Sequence, residues 1–433
     1  MRWLCLALLA ACSFRTNEAT TIDGAVDAAA DGLSNVCTPS ETACDGRTRK
    51  VCGSDGHWNP TLDTTCDFTC SQGACVTASN LSITDVAACG SGAPALAPPA
   101  GATVTVSASG GDHIDCAPDC GGGVARIDAV NVASGLAWFC VASIDLPAGV
   151  AITLPATGGP AEAIALVSDG PVTIAGEIAF DGGDATSATP GGFGAPGGFD
   201  GSNLTSSADS DGHGPCPGKG GHHDGSSSHW IGGGGGGGGF LTAGASGGGG
   251  ECTNSDHTAT GGDASSASCG TPELIPLVGG SGGGAGGDAT TGVYQGWAGG
   301  GGGGALQISS RISISVTGSI HARGGNGYGQ TSIDGGGGGG AGGAVLLEAP
   351  SLALSGTLAV GGGNGGSSGA GAGGAGETGT SPAGTGATYT LSGQGGSGGG
   401  GGAGRIRLNA ANAQCAAGAS PAASCTTGPL ALQ

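Results

Sequence analysis

The chain has 433 residues, 11 Lys and Arg against 32 Asp and Glu, a formal net charge of −21, and 103 glycines. Lys50 and Lys219 are its two lysines and no basic patch exists, so nucleic acid and anionic lipid surfaces are poor partners. So much glycine exceeds the need of a routine globular domain, and each glycine in regular structure costs about 0.5–1 kcal/mol relative to alanine. A fold built this way needs dense backbone hydrogen bonding, strand stacking and cross-links.

The first element is a leader. Arg2 precedes a short apolar run ending in small residues, which predicts a signal peptide over 1–11. The run is too short to span a bilayer as a helix. Leu9-Ala10-Ala11-Cys12 resembles the bacterial lipobox. The resemblance implies cleavage after Ala11 and a lipid anchor on Cys12, hence an envelope protein; more than one acyl chain is needed for stable anchoring. Ser13, rather than Asp, follows the cysteine, which by the familiar sorting rule implies the outer membrane or cell surface. Cleavage removes Arg2 and no acid, leaving 10 bases, 32 acids and a charge of −22.

Residues 12–36 are small and acidic and read as a disordered tether. Residues 37–76 hold Cys37, Cys44, Cys52, Cys66, Cys70 and Cys75, with Trp58 as the large core candidate. In an exported chain these predict three disulfides, with fifteen pairings open. The zinc alternative is weakened by the loose Cys66-x3-Cys70 spacing. The arrangement looks like the small Cys-rich modules of other bacterial surface lipoproteins.

A β-rich lead-in follows over 81–160, with alternating apolar pairs such as Val104/Val106, Ile144/Leu146 and Ile152/Leu154, and a second even cysteine set, Cys89, Cys116, Cys120 and Cys140. Over 161–425 an internal repeat dominates. Val172-x-Ile174-x-Gly176-x-Ile178-x-Phe180 recurs as Ile314-x-Val316-x-Gly318-x-Ile320-x-Ala322 and as Leu352-x-Leu354-x-Gly356-x-Leu358-x-Val360. Eight residues past each central glycine stand Asp184, Asn326 and Asn364, each after two glycines; ten residues before it stand Leu166, Ile308 and Leu346. No copy can bury its own apolar face, so stacking is required. The expected fold is all-β: a right-handed parallel β-solenoid (β-helix) with long glycine-rich insertions, preceded by a disulfide-rich module. The central glycines are read as bends and the Gly-Gly-Asn/Asp steps as turns of positive φ. A fourth copy should centre near Gly418, with Cys415 and Cys425 closing a cap. The odd cysteine should lie among Cys216, Cys252 and Cys269.

Glycine runs at 232–239, 299–304, 335–340 and 395–404 admit two readings, flexible linkers or packed polyglycine/polyproline-II-type helices. Their recurrence just before Leu306, Val345 and Ile406 favours order. At pattern level, 160–410 resemble glycine-rich β-helical or adhesin-like surface domains of bacteria.

Three constellations bear on chemistry. His213, Cys216, His222, His223 and His229, with Asp211 and Asp224, are candidate ligands for Zn2+ or copper, although the segment reads as a solvated loop. Scattered acids (Asp181, Asp184, Asp211, Asp224, Asp263, Asp288) suit Ca2+ without any recognisable Ca2+ loop; no cofactor is predicted. Trp230, Tyr294, Trp297 and Tyr328 sit beside the glycine runs, where flat rings stack on sugars. Charges carried on strands, Glu177, Arg311, His321, Arg323, Glu348, Arg405 and Arg407, are read as solvated outer positions. They form no carboxylate pair on one strand, and no nucleophile elbow or phosphate loop exists. The reading is a membrane-anchored structural, adhesive or glycan-contacting protein whose partners are polysaccharide or other surface proteins. The alternatives are a β-helix enzyme acting on extracellular polysaccharide and a metal-binding lipoprotein.

Overall fold

A computed structural model describes residues 36–432 apart from 83–85, 87–88, 90–91, 108–111, 134, 154–161, 188, 204–209, 227–228, 254–256, 290–295, 379–380, 392 and 416–417. The leader, Cys12 and the tether up to residue 35, along with Tyr294 and Leu154, lie outside the described residues.

The repeats form parallel sheets. Each unit supplies three short strands in turn: Leu136–Val141, Ile144–Leu146 and Ala151–Thr153; then Ala163–Ser168, Val172–Ile174 and Glu177–Ala179; then Ala305–Ser310, Ser313–Val316 and Ser319–His321; then Ala344–Glu348, Ser351–Leu354 and Thr357–Ala359. Equivalent strands pair in parallel within sheets of seven, four and eight strands, here the first, second and third, the first and third of which carry antiparallel strands at their N-terminal ends. The stack therefore begins inside the β-rich lead-in, where Thr103–Ser107 pairs in parallel with Ala151–Thr153 and Leu96 bridges to Ile144 below the unit at 136–153. One apolar cluster draws on all three sheets: Phe139, Leu166 and Ile308 from the first, Ile144, Val172 and Ile314 from the second, Ile152, Ile178 and Ile320 from the third.

The second and third sheets keep the repeat's register, Val172 beside Ile314 beside Leu352 and Ile178 beside Ile320 beside Leu358. The first sheet does not. Ile308 stands beside Leu347, not the expected Leu346. A one-residue slip sends a side chain to the other face, and Leu346 packs outward with Phe240, Leu274 and Leu277. The slip is tolerated because this sheet is covered on both sides, so Leu346 and Leu347 are both buried and apolar on opposite faces of one strand.

The outer cover is partly the Cys-rich module, held by Cys37–Cys52, Cys44–Cys70 and Cys66–Cys75. Its buried aromatic is Phe68 rather than the expected Trp58, and it packs with Trp138, Ala165 and Val167 on the first sheet. Two charges read as solvated are buried here, Arg311 in this contact and Glu348 beside it under Ser79. Arg311 is bound to Asp169, donates to the carbonyls of Asp67 and Val86, and lies over the Phe68 ring. Glu348, 0% exposed, accepts from Ser79 N–H and Oγ, Gln307 Nε2, Ser309 Oγ and Asn409 Nδ2, at 2.6–3.1 Å. Arg405 is likewise buried, over Phe240. Ala431–Leu432 pairs with Ala74–Thr77, so the last strand completes a sheet of the N-terminal module.

The remaining bonds are Cys89–Cys140, Cys116–Cys120, Cys216–Cys269 and Cys415–Cys425; Cys252 is buried outside the seven. At the C-terminal end Gly418 stacks on Gly356 and Ala419 pairs with Leu358. In place of a further strand on the second sheet, Asn412 accepts from Leu352 N–H at 3.0 Å and donates to its carbonyl at 3.1 Å, closing the exposed edge.

The repeat glycines serve close approach, not positive φ. Gly176, Gly318 and Gly356 and the Gly-Gly pairs at 182–183, 324–325 and 362–363 all lack positive φ. A Cβ on Gly318 would strike the Gly176 carbonyl and one on Gly356 the Gly318 carbonyl, both inside 3.0 Å.

Candidate functional site

The glycine runs are ordered segments that hold their loops away from the sheets. Residues 335–343 show the construction. Gly335, Gly338 and Ala341 donate to Gly287, Gly284 and Ser281; Gly336, Gly339 and Gly342 to Gly396, Gly399 and Gly402; Gly337, Gly340 and Gly343 to Tyr328, Gly325 and Ala322, at 2.7–3.0 Å throughout. Successive N–H groups thus point to three different neighbours with a three-residue period, the repeat of a polyproline-II-type helix, whose groups here bond across instead of to water. Runs 299–304 and 395–404 repeat the scheme, with Gly301 donating to Gly183 and Gly401 to Gly363. In the units entered at Ala305, Ala344 and Arg405 the incoming run lies antiparallel to the segment leaving the third sheet one unit earlier. Side chains are excluded, since a Cβ on Gly234, Gly338 or Gly401 would fall well inside 3.0 Å of a neighbouring carbonyl oxygen.

Runs 335–343 and 395–404 enter the first sheet directly, at Ala344 and Arg405. Their far ends lie roughly 28–31 Å away at about 3.1 Å per residue. Those far ends make a rim. Trp297 N–H donates to Gly335, Tyr328 N–H to Ala298, and Gly232 N–H to Ile333, which gathers the ends of several runs. Trp297 and Tyr328, half-buried, meet edge to face with centroids 5.3 Å apart. Trp297 Nε1 donates to Ser332 Oγ at 3.3 Å, and Gln330 Nε2 to the Tyr328 hydroxyl at 2.6 Å. Asp334 accepts from Ala289 N–H at 3.1 Å. Burial pushes the Asp334 carboxyl above its ordinary value, and the charge of Asp288 beside it pushes the same way. Two apolar side chains project here, Ile333 at 41% exposure and Leu391 at 69%, the latter on a turn whose Thr390 and Leu391 N–H groups donate to Gln394 Oε1.

The aromatic set is therefore divided. Trp297 and Tyr328 come together; Trp230, on a separate hairpin of His223–Ser226 with His229–Gly232, stacks on His223 at 5.6 Å. The candidate metal ligands are divided further. Residues 216–222 run antiparallel along 233–239, with Cys216 bonded beside Gly239 and His222 beside Gly233. Six residues of such a segment span roughly 19 Å. Cys216 is moreover oxidised to Cys269, and its sulfur is no thiolate ligand. His213 is exposed beside the Asp200 carbonyl, His222 and His223 are exposed, and the His229 side chain is outside the described residues. Among the described residues no group of three His, Cys, Asp or Glu is placed to hold a metal ion. Of the acids considered for Ca2+, Asp211 pairs with Lys219 and Asp224 with His257.

A second cluster joins neighbouring units. His321, read from sequence as solvated, is 6% exposed. Its Nδ1 lies 2.9 Å from Asp181 Oδ2 and its Nε2 2.5 Å from Glu177 Oε1. The hydrogen bond to Asp181 holds the imidazole above its ordinary value against the opposing effect of burial. For Asp181, burial favours the neutral acid, but the bonds from His321 and from Arg323 N–H win, and its carboxyl lies low. Three residues outward, Asp184 Oδ1 accepts from Asn326 N–H at 2.7 Å and Asn326 Oδ1 from Asn364 N–H at 2.8 Å. Both clusters tie unit to unit. Sequence reasoning passed over Asp334, Ser332, Ile333 and Leu391; their signal is that they interrupt glycine-rich stretches.

Comparison with protein-family models, with curated proteins and with solved structures finds no match for the chain.

Proposed function

We propose that the chain is a lipid-anchored protein of the bacterial cell envelope, at the outer membrane or cell surface, with an adhesive or glycan-contacting role. In this reading the parallel sheets are a right-handed β-solenoid, Cys12 carries the anchor, and the glycine array holds a contact rim away from the solenoid. The observation that carries it is the rim: the Trp297–Tyr328 pair stands with exposed Ile333 and Leu391 at the far end of a rigid, side-chain-free bundle. Exposed apolar groups gathered on such a support are what a recognition surface requires. Seven disulfides among the described residues suit an exported chain.

The test is a pull-down of detergent-solubilised full-length protein on insoluble and cell-surface polysaccharides, with the supernatant assayed for released sugar. Retention that Trp297→Ala and Tyr328→Ala weaken, without sugar release, is expected. Released sugar would replace this reading with an enzyme, and no retention on any glycan would remove the glycan role. Intact mass of the membrane form tests the anchor: Cys12→Ala should lack the acyl mass and leave the membrane fraction.

A further inference from the structure

A cleft of about 390 Å³ lies at the seam between the Cys-rich module and the C-terminal end of the stack. Gln72 and Val76 line it from the hairpin of Thr69–Ser71 with Ala74–Thr77, and Ala410, Ala411, Thr427 and Leu430 from the other side. Val76, Ala410 and Leu430 are buried and give it an apolar floor. Gln72, Ala411 and Thr427 are exposed and leave it open to solvent. Its volume falls within the range of small-ligand sites.

The charge here is the reverse of the molecule's. In a chain of 32 acids, residues 68–82, 396–415 and 418–432, which hold every residue of the cleft wall, contain none; their charged side chains are Arg405 and Arg407. Arg407 Nε donates to Asn409 Oδ1 at 2.8 Å, and among the described residues no carboxylate pairs with this guanidinium. It lies against Gly428, part of the cleft wall, where a Cβ would fall inside 3.0 Å of Arg407 Nη2. Glycine at 428 thus leaves the guanidinium its place. On the module side, Arg49 Nε donates to the Gly73 carbonyl at 2.9 Å, next to Gln72. Thr427 and Gly428 belong to the strand Cys425–Gly428, which pairs with Arg405–Asn409 on one side and, among the described residues, with no strand on the other. Such an edge offers backbone groups to an extended peptide.

We infer that this cleft binds the C-terminal end of a peptide with small side chains, laid along Cys425–Gly428 with its free carboxylate on Arg407. The strand edge meets the peptide backbone, the alanine-lined floor admits methyl-sized side chains, and the planar guanidinium matches a carboxylate with two parallel bonds. The site is separate from the rim and independent of the glycan role.

The experiment is calorimetric titration of the detergent-solubilised full-length chain with N-acetyl tetra-alanine, as the free acid and as the C-terminal amide. Wild type, Arg407→Gln and Ala411→Trp are compared, with melting curves to establish that each variant folds. Glutamine at 407 removes the charge, and tryptophan at the exposed position 411 fills the cleft without touching the arginine. Expected is binding of the acid at least about tenfold tighter than the amide, the scale of a charge-assisted hydrogen bond. Arg407→Gln should abolish that preference, and Ala411→Trp should abolish binding of both peptides. The chain's net charge of −21 opposes an anion, so a preference for the acid reports a local cation. Equal affinity for acid and amide, a preference that survives in Arg407→Gln, wild-type binding by Ala411→Trp, or no binding of either peptide would each overturn the inference.

Discussion

His321 has an acceptor-only carboxylate on each ring nitrogen, and a neutral imidazole has one N–H to offer. The arrangement selects the imidazolium. Since the folded value lies above the ordinary 6.5, the stabilisation is fully present below 6.5 and is lost as pH rises through the folded value. Asp181, held below 3.8, contributes above 3.8 and loses its share as pH falls through its folded value. Wild type should therefore exceed His321→Gln in stability between these limits, by on the order of 1–2 kcal/mol. Melting temperatures recorded from pH 5 to 9 should converge as the imidazole deprotonates; parallel profiles would contradict the clamp. Glu348 is the other telling residue. Its replacement by alanine leaves several buried donors without their acceptor, and a loss of about 3 kcal/mol or more is expected in urea titration. A cost below ~1 kcal/mol would mean that water replaces it. Neither burial was legible from sequence. A lone charge on a strand reads as outward, and the partners of Glu348 come from Ser79, Gln307, Ser309 and Asn409, far apart in the chain.

At the scale of elements, the repeat announced the strands because its alternation is strict in the second and third sheets. It misplaced the first sheet by one residue at Leu346 because Leu346 and Leu347 are both apolar, one on each face, and alternation carries no information at that step. The glycine runs were ambiguous for a different reason. Polyglycine has no side-chain pattern, so the three-residue period lives in the hydrogen bonds alone. A glycine in a flexible linker gains about 0.4–1 kcal/mol of stability on replacement by alanine, through the unfolded chain. In a packed array the added methyl has no room, and overpacking costs about 1–3 kcal/mol or more. Gly338→Ala and Gly401→Ala should each lower the melting temperature. A rise in either would return the runs to linkers.

For the whole molecule, the three sheets, the module on their outer face and the array lie in one connected structure. The last strand pairs with the N-terminal module, Arg311 seats that module on the first sheet through Asp67 and Phe68, and Glu348 holds Ser79 just past it. The sequence carried the aromatic character of the rim through Trp297 and Tyr328, yet gave no sign that Trp230 stands apart from them or that Asp288 and Asp334 are neighbours. Those relations arise from which runs lie side by side, a property of the folded array. The array's order is the central claim, and amide hydrogen exchange across 335–343 and 395–404 tests it most directly. Every N–H of 335–343 is bonded to another segment, so protection comparable to that of Ala305–Ser310 is the predicted result. Exchange at unstructured-peptide rates, with the sheets still protected, would contradict the account.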